Sequence, residues 1–245
     1  MASEVKVFDL QEDLFFHSAE KIAALAQDAI QKNGRFSLAL SGGQTPKGVY
    51  AVLASPDFKD KIDWKKVHVF WGDERPVVRT HPDSNFRMAK EALLDAAGIP
   101  QGNIHRIGSE EDPMLAAQQY EDELRDFFDI AEGDFPSFDL ILLGMGDDGH
   151  TASLFPESEA LEIKDRLVVD NYVKKLNTHR ITFTFPVINH ARNVLFLVSG
   201  SSKSKMIKQV LENVNAGITL PSQMVNPVHG SLYWFLDKNA AADLK

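Results

Sequence analysis

The chain contains no cysteine. That absence excludes disulfides, a cysteine nucleophile and any thiolate-bound metal, and it agrees with a reducing compartment such as the cytoplasm. Long apolar runs are missing too. Leu140–Leu143 and Val194–Val198 are among the longest, far short of the roughly 20 residues that a membrane-spanning helix needs. Met1–Phe8 carries Glu4 and has no apolar stretch of the secretory type. Positive charge is scarce. With 26 Lys and Arg against 35 Asp and Glu, the formal net charge is −9. That is a poor basis for nucleic-acid binding, which needs a basic footprint. At first sight it also weighs against an anionic substrate. No repeat, low-complexity tract or Ser/Gly-rich linker interrupts the 245 residues. The expectation is one domain over 1–245, with no membrane or nucleic-acid partner.

What is present is alternation. Leu10–Lys32 has helical periodicity, with Leu14, Ile22, Ala26 and Ala29 on one side and Gly34 as a stop. Phe36–Leu40 reads as a short apolar strand, followed by Thr45-Pro46 as N-cap and first residue of a helix. Val67–Trp71, Phe138–Leu143, Leu167–Val169, Ile181–Phe185, Val194–Val198 and Leu232–Leu236 read as further strands. Asn85–Ala97, Met114–Phe128 and Ser202–Asn213 read as helices. Phe138–Leu143 (FDLILL) is almost wholly apolar, as in strands covered on both faces. The pattern predicts an α/β fold, a three-layer α/β/α arrangement around a mostly parallel, Rossmann-like sheet. Its ligand crevice lies where loops leave the carboxyl ends of the strands.

Four such loops carry chemistry. Ser41-Gly42-Gly43-Gln44-Thr45-Pro46 opens a helix, where free amides and the helix dipole favour an anion; it also reads as a plain turn and cap. Gly72-Asp73-Glu74-Arg75-Pro76 sets three charges at a strand end; Arg75 suits an anionic group, and a solvated loop is the plainer alternative. Gly144-Met145-Gly146-Asp147-Asp148-Gly149-His150-Thr151 matches G-x-G-x-x-G in form. Its two aspartates would repel a pyrophosphate, and Pro156 comes too soon for a crossover helix. The better reading is a flexed loop that presents Asp148 and His150. Ser199-Gly200-Ser201-Ser202-Lys203 sets a lysine against a helix N-terminus, a conflict that a bound anion would relieve. Together these residues suit a small phosphorylated substrate and acid–base chemistry. The remaining histidines show no metal-ligand spacing. The phenylalanines from Phe15 to Phe138 read as core rather than as a stacking platform.

These segments resemble the 6-phosphogluconolactonase family. The resemblance rests on Ser41-Gly42-Gly43-x-Thr45-Pro46, Asp73-Glu74-Arg75, Gly144-x-Gly146-x-Asp148-Gly149-His150-Thr151-Ala152-Ser153-Leu154-Phe155-Pro156, Arg180-Ile181-Thr182 and Gly200-x-x-Lys203. Pro221–Val225 and Trp234–Asp237 extend it across nearly the whole chain. The related glucosamine-6-phosphate isomerases and deaminases usually continue after the histidine with a Phe-Asn-Glu-Pro type ending; Ser153-Leu154-Phe155-Pro156 lacks that acid. The resemblance implies hydrolysis of 6-phospho-D-glucono-1,5-lactone without metal or cofactor. No G-x-S-x-G elbow is present, so direct attack by water is expected, with His150 as general base. Asp148 or Asp73 would orient His150 or a sugar hydroxyl. Ser41, Gly42, Gly43, Thr45, Arg75 and Lys203 would hold the substrate's phosphate end, with Arg180 as a further contributor. An amino-sugar phosphate isomerase or deaminase, and a sugar-phosphate-binding regulator, are the competing expectations. The expected working unit is a monomer, with a weak homodimer as the alternative.

Overall fold

The computed structural model describes residues 3–110, 112–212 and 219–245. Among the described residues nine strands are formed: β1 (Glu4–Phe8), β2 (Phe36–Leu40), β3 (Val67–Trp71), β4 (Asp73–Glu74), β5 (Leu140–Leu143), β6 (Val168–Val173), β7 (Thr178–Phe183), β8 (Asn193–Val198) and β9 (Ser231–Asp237). Six of them make a parallel sheet in the order β1-β9-β8-β5-β2-β3. The other three make a small antiparallel sheet in the order β4-β7-β6.

Apolar sequence explains the centre of the large sheet. Every residue of β2 and β5 is buried, as expected where helices cover both faces. The polar Ser37 is tolerated in β2 because its amide and hydroxyl both donate to Asp139, at 2.9 and 2.8 Å. Helix α1 (Gln11–Asn33) buries Leu14, Ile22, Ala26 and Ala29, a helical stripe. It stops at Gly34, whose φ of 76° suits only a residue without a side chain, and whose amide donates to Ile30 O at 2.9 Å. Helix α2 (Gln44–Leu53) follows β2. Helix α3 (Asn85–Ala89) is capped by Ser84 Oγ, which accepts from the Arg87 amide, and it continues through a π turn into α4 (Asp95–Ala97). In α5 (Pro113–Phe128), Asp112 caps the amides of Met114 and Leu115. Two further helices are α6 (Phe185–Asn189) and α7 (Ser204–Glu212); the predicted end of the latter at Asn213 lies outside the described residues.

The antiparallel sheet departs from the sequence expectation. Leu167–Val169 and Ile181–Phe185 read as strands of a mostly parallel sheet. Instead they belong to a hairpin running from Val168 to Phe183, and Phe185 opens α6. Glu121 fastens this hairpin to α5. Its carboxylate accepts from Arg125 Nη2 at 2.9 Å, Arg166 Nε at 2.8 Å and the Leu167 amide at 3.0 Å. Burial alone would raise the Glu121 carboxyl, but these donors outweigh it and hold it below its ordinary value.

The phenylalanines read as core pack in it or against it, except Phe16, which is exposed. The Phe128 and Phe138 rings lie 4.7 Å apart, and Phe70 meets Phe138 at 5.1 Å. His105 stacks on Phe70 at 4.3 Å, bonded to His68 (3.1 Å) and Glu123 (2.7 Å). Burial, then the positive surroundings of His105 and Arg35, lower His68 to about 4. Among the described residues, no helix is long and apolar enough to cross a membrane.

Candidate active site

A cavity of about 520 Å³ opens at the carboxyl ends of β2, β5 and β8. All four post-strand loops reach it. Of the residues singled out in the sequence, Ser41, Gly42, Gly43, Thr45, Asp73, Arg75, His150 and Lys203 line it. Asp148 reaches that lining through His150, whereas Arg180 is not among the lining residues.

The first loop is tighter than its sequence suggests. Gly43, at φ 103°, is the N-cap of α2, and Thr45 sits inside the first turn instead of capping it. Gly42 presses on Asn85 so closely that a Cβ would lie 2.0 Å from Asn85 Oδ1. The Ser41 amide is already used. It donates to the Tyr50 hydroxyl at 2.9 Å, which donates to Ser41 O at 2.8 Å. The anion nest therefore narrows to Gly42, Gly43 and the amides of Gln44 and Thr45, since Pro46 has no amide hydrogen and the Lys47 amide donates to Gly43 O at 3.1 Å. Thr45 Oγ1 shares a 2.7 Å hydrogen bond with Ser199 Oγ, which also accepts from Gln11 Nε2 at 2.7 Å. Gln11, at the start of α1, escapes sequence reasoning because no local pattern marks it.

The second loop divides its charges. Glu74 is buried and structural. It accepts from the amides of Arg75, Asn85 and Phe86, each at 2.8 Å, and so anchors the start of α3. Burial raises its carboxyl, with these bonds opposing. Asp73 is held by Ser153 Oγ at 2.7 Å and Asn85 Nδ2 at 3.3 Å. Arg75 Nη1 donates to Asp83 O at 2.6 Å, while its Nε is buried without a partner. Arg180 is close enough that burial and then the Arg75 charge lower its basicity. Two guanidinium groups held together favour an anion between or beside them.

The third loop builds the dyad. Asp148 Oδ1 lies 2.6 Å from His150 Nδ1, and Asp148 Oδ2 lies 2.8 Å from Lys175 Nζ. Burial by itself would raise the Asp148 carboxyl. The hydrogen bonds from Lys175 and His150 outweigh it and bring the carboxyl down to about 2. An ionised carboxylate only accepts, so Nδ1 carries the imidazole proton and Nε2 keeps the lone pair. The Phe155 ring stacks on the imidazole at 4.0 Å. Only His150 of the pair reaches the crevice; Asp148 faces a neighbouring cavity. The loop is pinned on many sides. Gly146 N donates to His150 O at 2.8 Å, and Thr151 Oγ1 to Gly144 O at 2.9 Å. The Ser222 amide and hydroxyl donate to Gly149 O at 3.0 and 2.8 Å. Asn171 Nδ2 donates to Ser153 O at 2.8 Å.

The fourth loop is aimed by Asp237, whose carboxylate accepts from Gly200 N at 3.0 Å and Ala240 N at 2.7 Å. Lys203 lies in a short 3-10 turn, Ser201–Lys203, just before α7, with Asp147 3.9 Å from its ammonium. Ser222 and Asp237 sit in the segments Pro221–Val225 and Trp234–Asp237, whose sequence showed only likeness. Their work is to hold two of the loops.

Residues 9–234 match the model of the family described as glucosamine-6-phosphate isomerases/6-phosphogluconolactonase. A protein of Nostoc sp. named 6-phosphogluconolactonase is 44% identical, covering 100% of this chain and 99% of its own. A solved 6-phosphogluconolactonase from Trypanosoma cruzi superposes with a TM-score of 0.88 at 28% identity, covering 100% and 97% of the two chains. A monomeric glucosamine-6-phosphate deaminase shares the fold, with a TM-score of 0.81 at 18% identity over 98% and 99%.

Proposed function

The chain belongs to the glucosamine-6-phosphate isomerases/6-phosphogluconolactonase family, and from that premise we propose that it hydrolyses 6-phospho-D-glucono-1,5-lactone to 6-phospho-D-gluconate. This is the second step of the oxidative pentose phosphate pathway. The observation that carries the reading is the 2.6 Å His150–Asp148 contact, made at a cavity shared with Arg75, Lys203 and the N-terminus of α2.

The steps use side chains and water. Gly42, Gly43, the first turn of α2, Arg75 and Lys203 take the phosphate, with Arg180 behind Arg75 adding to the positive field. A water oxygen bonds to the lactone carbonyl carbon as His150 Nε2 takes one of its protons, and the carbonyl electrons move onto oxygen. Asp148 holds the imidazolium that results. The tetrahedral species collapses by breaking the bond to the ring oxygen, which receives the proton back from Nε2. The product acid then releases its proton to solvent. Asp73 is not bonded to the imidazole; its carboxylate lines the same cavity and suits a sugar hydroxyl.

The isomerase or deaminase reading is the weaker one, because the position before Pro156, where those enzymes carry an acid, is Phe155, whose ring stacks on the His150 imidazole. A cytoplasmic location belongs to the same proposal, and the cysteine-free composition is compatible with a reducing compartment. The working unit proposed is a monomer, which its mass in solution would test. The test is lactone hydrolysis measured beside ammonia release from glucosamine 6-phosphate. The expected result is turnover of the lactone only, with His150→Ala reduced roughly 10²–10⁴-fold. Ammonia release, or near-normal hydrolysis by His150→Ala, would overturn it.

A further inference from the structure

The mechanism leaves one contact of the dyad unused. Asp148 gives Oδ1 to the His150 imidazole at 2.6 Å and to the His150 amide at 3.2 Å, while Oδ2 receives Lys175 Nζ at 2.8 Å. Lys175 comes from the antiparallel sheet, in the turn Lys174–Leu176 that joins β6 to β7. That turn is built. Asn177 closes it at φ 48°, its amide donates to Lys174 O at 3.2 Å, and its side-chain oxygen accepts from the Tyr172 hydroxyl at 2.6 Å. The Lys175 side chain is 60% exposed. A solvent-exposed pair of this kind adds little to folding, so stability does not account for its place beside the dyad.

We propose that Lys175 is a positioning residue for the reaction: it fixes the second oxygen of Asp148 and competes with His150 for the carboxylate's charge, which favours the neutral imidazole that the reaction uses as base. The inference rests on the reading of His150 as general base. A carboxylate alone beside an imidazole favours the imidazolium, which cannot take a proton from water. A cation on the other oxygen cancels part of that pull. It also keeps the carboxylate from rotating away from Nδ1, since both oxygens are then committed.

The other charges facing His150 are Asp147 on the same loop, Asp73 and Arg75 on the second loop, and Lys203 on the fourth. Beyond Asp148, in a cavity of about 420 Å³, stand Glu157, Glu159, Asp170 and Lys174. Asp170 is taken by His179 at 2.8 Å. None of these is altered when the Lys175 charge alone is removed.

The experiment is kcat/KM for the phosphorylated lactone between pH 5 and pH 9 for the wild type, Lys175→Met and Lys175→Arg, with His150→Ala beside them. Lys175→Met keeps most of the stem and deletes the charge. Its acid limb is expected to move upward on the order of half a pH unit, so that activity on the acid side falls about threefold. Its plateau falls a few-fold as Asp148 loses one of its ties, and Lys175→Arg keeps the wild-type limb. Superimposable limbs for wild type and Lys175→Met would overturn the inference. So would a uniform loss at every pH with the limb unmoved, which is what a merely structural residue gives. If His150→Ala keeps wild-type turnover, it is the general-base reading that falls. If His150→Ala is inactive and the Lys175→Met limb does not move, only the role of Lys175 falls.

Discussion

The two ends of the cavity satisfy their polar groups in opposite ways. At the His150 end, nearly everything is spoken for. Gly144, Gly146, Gly149 and Ser153 are tied by Thr151, His150, Ser222 and Asn171, and the dyad is stacked on Phe155. At the Arg75 end, donors are left open. Arg75 Nε has no partner, Lys203 has an acid no nearer than 3.9 Å, and the Gln44 and Thr45 amides that open α2 have no partner within the helix. The contrast fits what the proposed function asks of each end. Proton transfer needs groups held in position before substrate arrives. Capture of an anion needs donors whose hydrogen bonds are completed only by the ligand.

The contrast can be broken most severely at Gly146. A Cβ there would lie 2.1 Å from His150 Nδ1 and 2.8 Å from Asp148 Oδ1, so alanine must part the dyad. Gly146→Ala is expected to lose kcat by roughly 10²–10⁴, as His150→Ala does, with KM little changed. Near-normal steady-state turnover would show that the dyad geometry is not needed. The open end should answer in the other parameter. Arg75→Ala and Lys203→Ala each lose charge-assisted bonds of about 1.5–3 kcal/mol, or tenfold and more in KM, with kcat close to wild type. A fall in kcat without a change in KM would blur the division between the ends. Ser222→Ala removes one of two donors to Gly149 O while the amide remains. At about 0.5–1.5 kcal/mol for a hydrogen bond, kcat should drop only a few-fold; no change in kcat would mean the amide alone holds the loop.

The smallest effect is on acid stability. Asp148 is depressed to about 2 because the Lys175 and His150 bonds outweigh burial. A depressed carboxyl contributes stability that is complete above its unfolded value of about 4 and is lost as pH falls through its folded value. Asp148→Asn should therefore unfold at a lower temperature than wild type at neutral pH, with the gap closing between about pH 4 and pH 2 in thermal melts. A gap that does not change with pH would assign the loss to packing instead.

The large sheet was legible because β2, β3, β5 and β8 are short apolar runs ended by glycine or charge, and that signal is local. The small sheet was not. Its members include the dipeptide Asp73-Glu74, which reads as loop because it is charged, and β6, whose Asp170 and Asn171 hide the strand. Strand β1 was missed because Glu4 and Lys6 alternate with Val5 and Val7 at an exposed edge. In the site, His150, Arg75 and Lys203 stood out by their loop context. Lys175, Ser222 and Asp237 did not, since their bonds to Asp148, Gly149 and Gly200 span 27, 73 and 37 positions, and such pairings leave no periodic trace. The carboxylate beside His150 could not be chosen from sequence either. Asp73 and Asp148 differ only in what folding brings against them, which is Ser153 for one and His150 for the other.

The sheet order bears on how the protein is born. Strand β1 lies at the edge, and its neighbour is β9. On the ribosome, the earliest strand must therefore wait for the latest one before it has anything to pair with. The same late strand ends in Asp237, which aims the Gly200 turn, and just ahead of it lies Ser222, which pins Gly149. A nascent chain halted before these residues can collapse around β2, β3 and β5, but it lacks the clamps on two of its four working loops. Translation order thus makes activity a late acquisition, switched on by the emergence of residues that never touch the substrate.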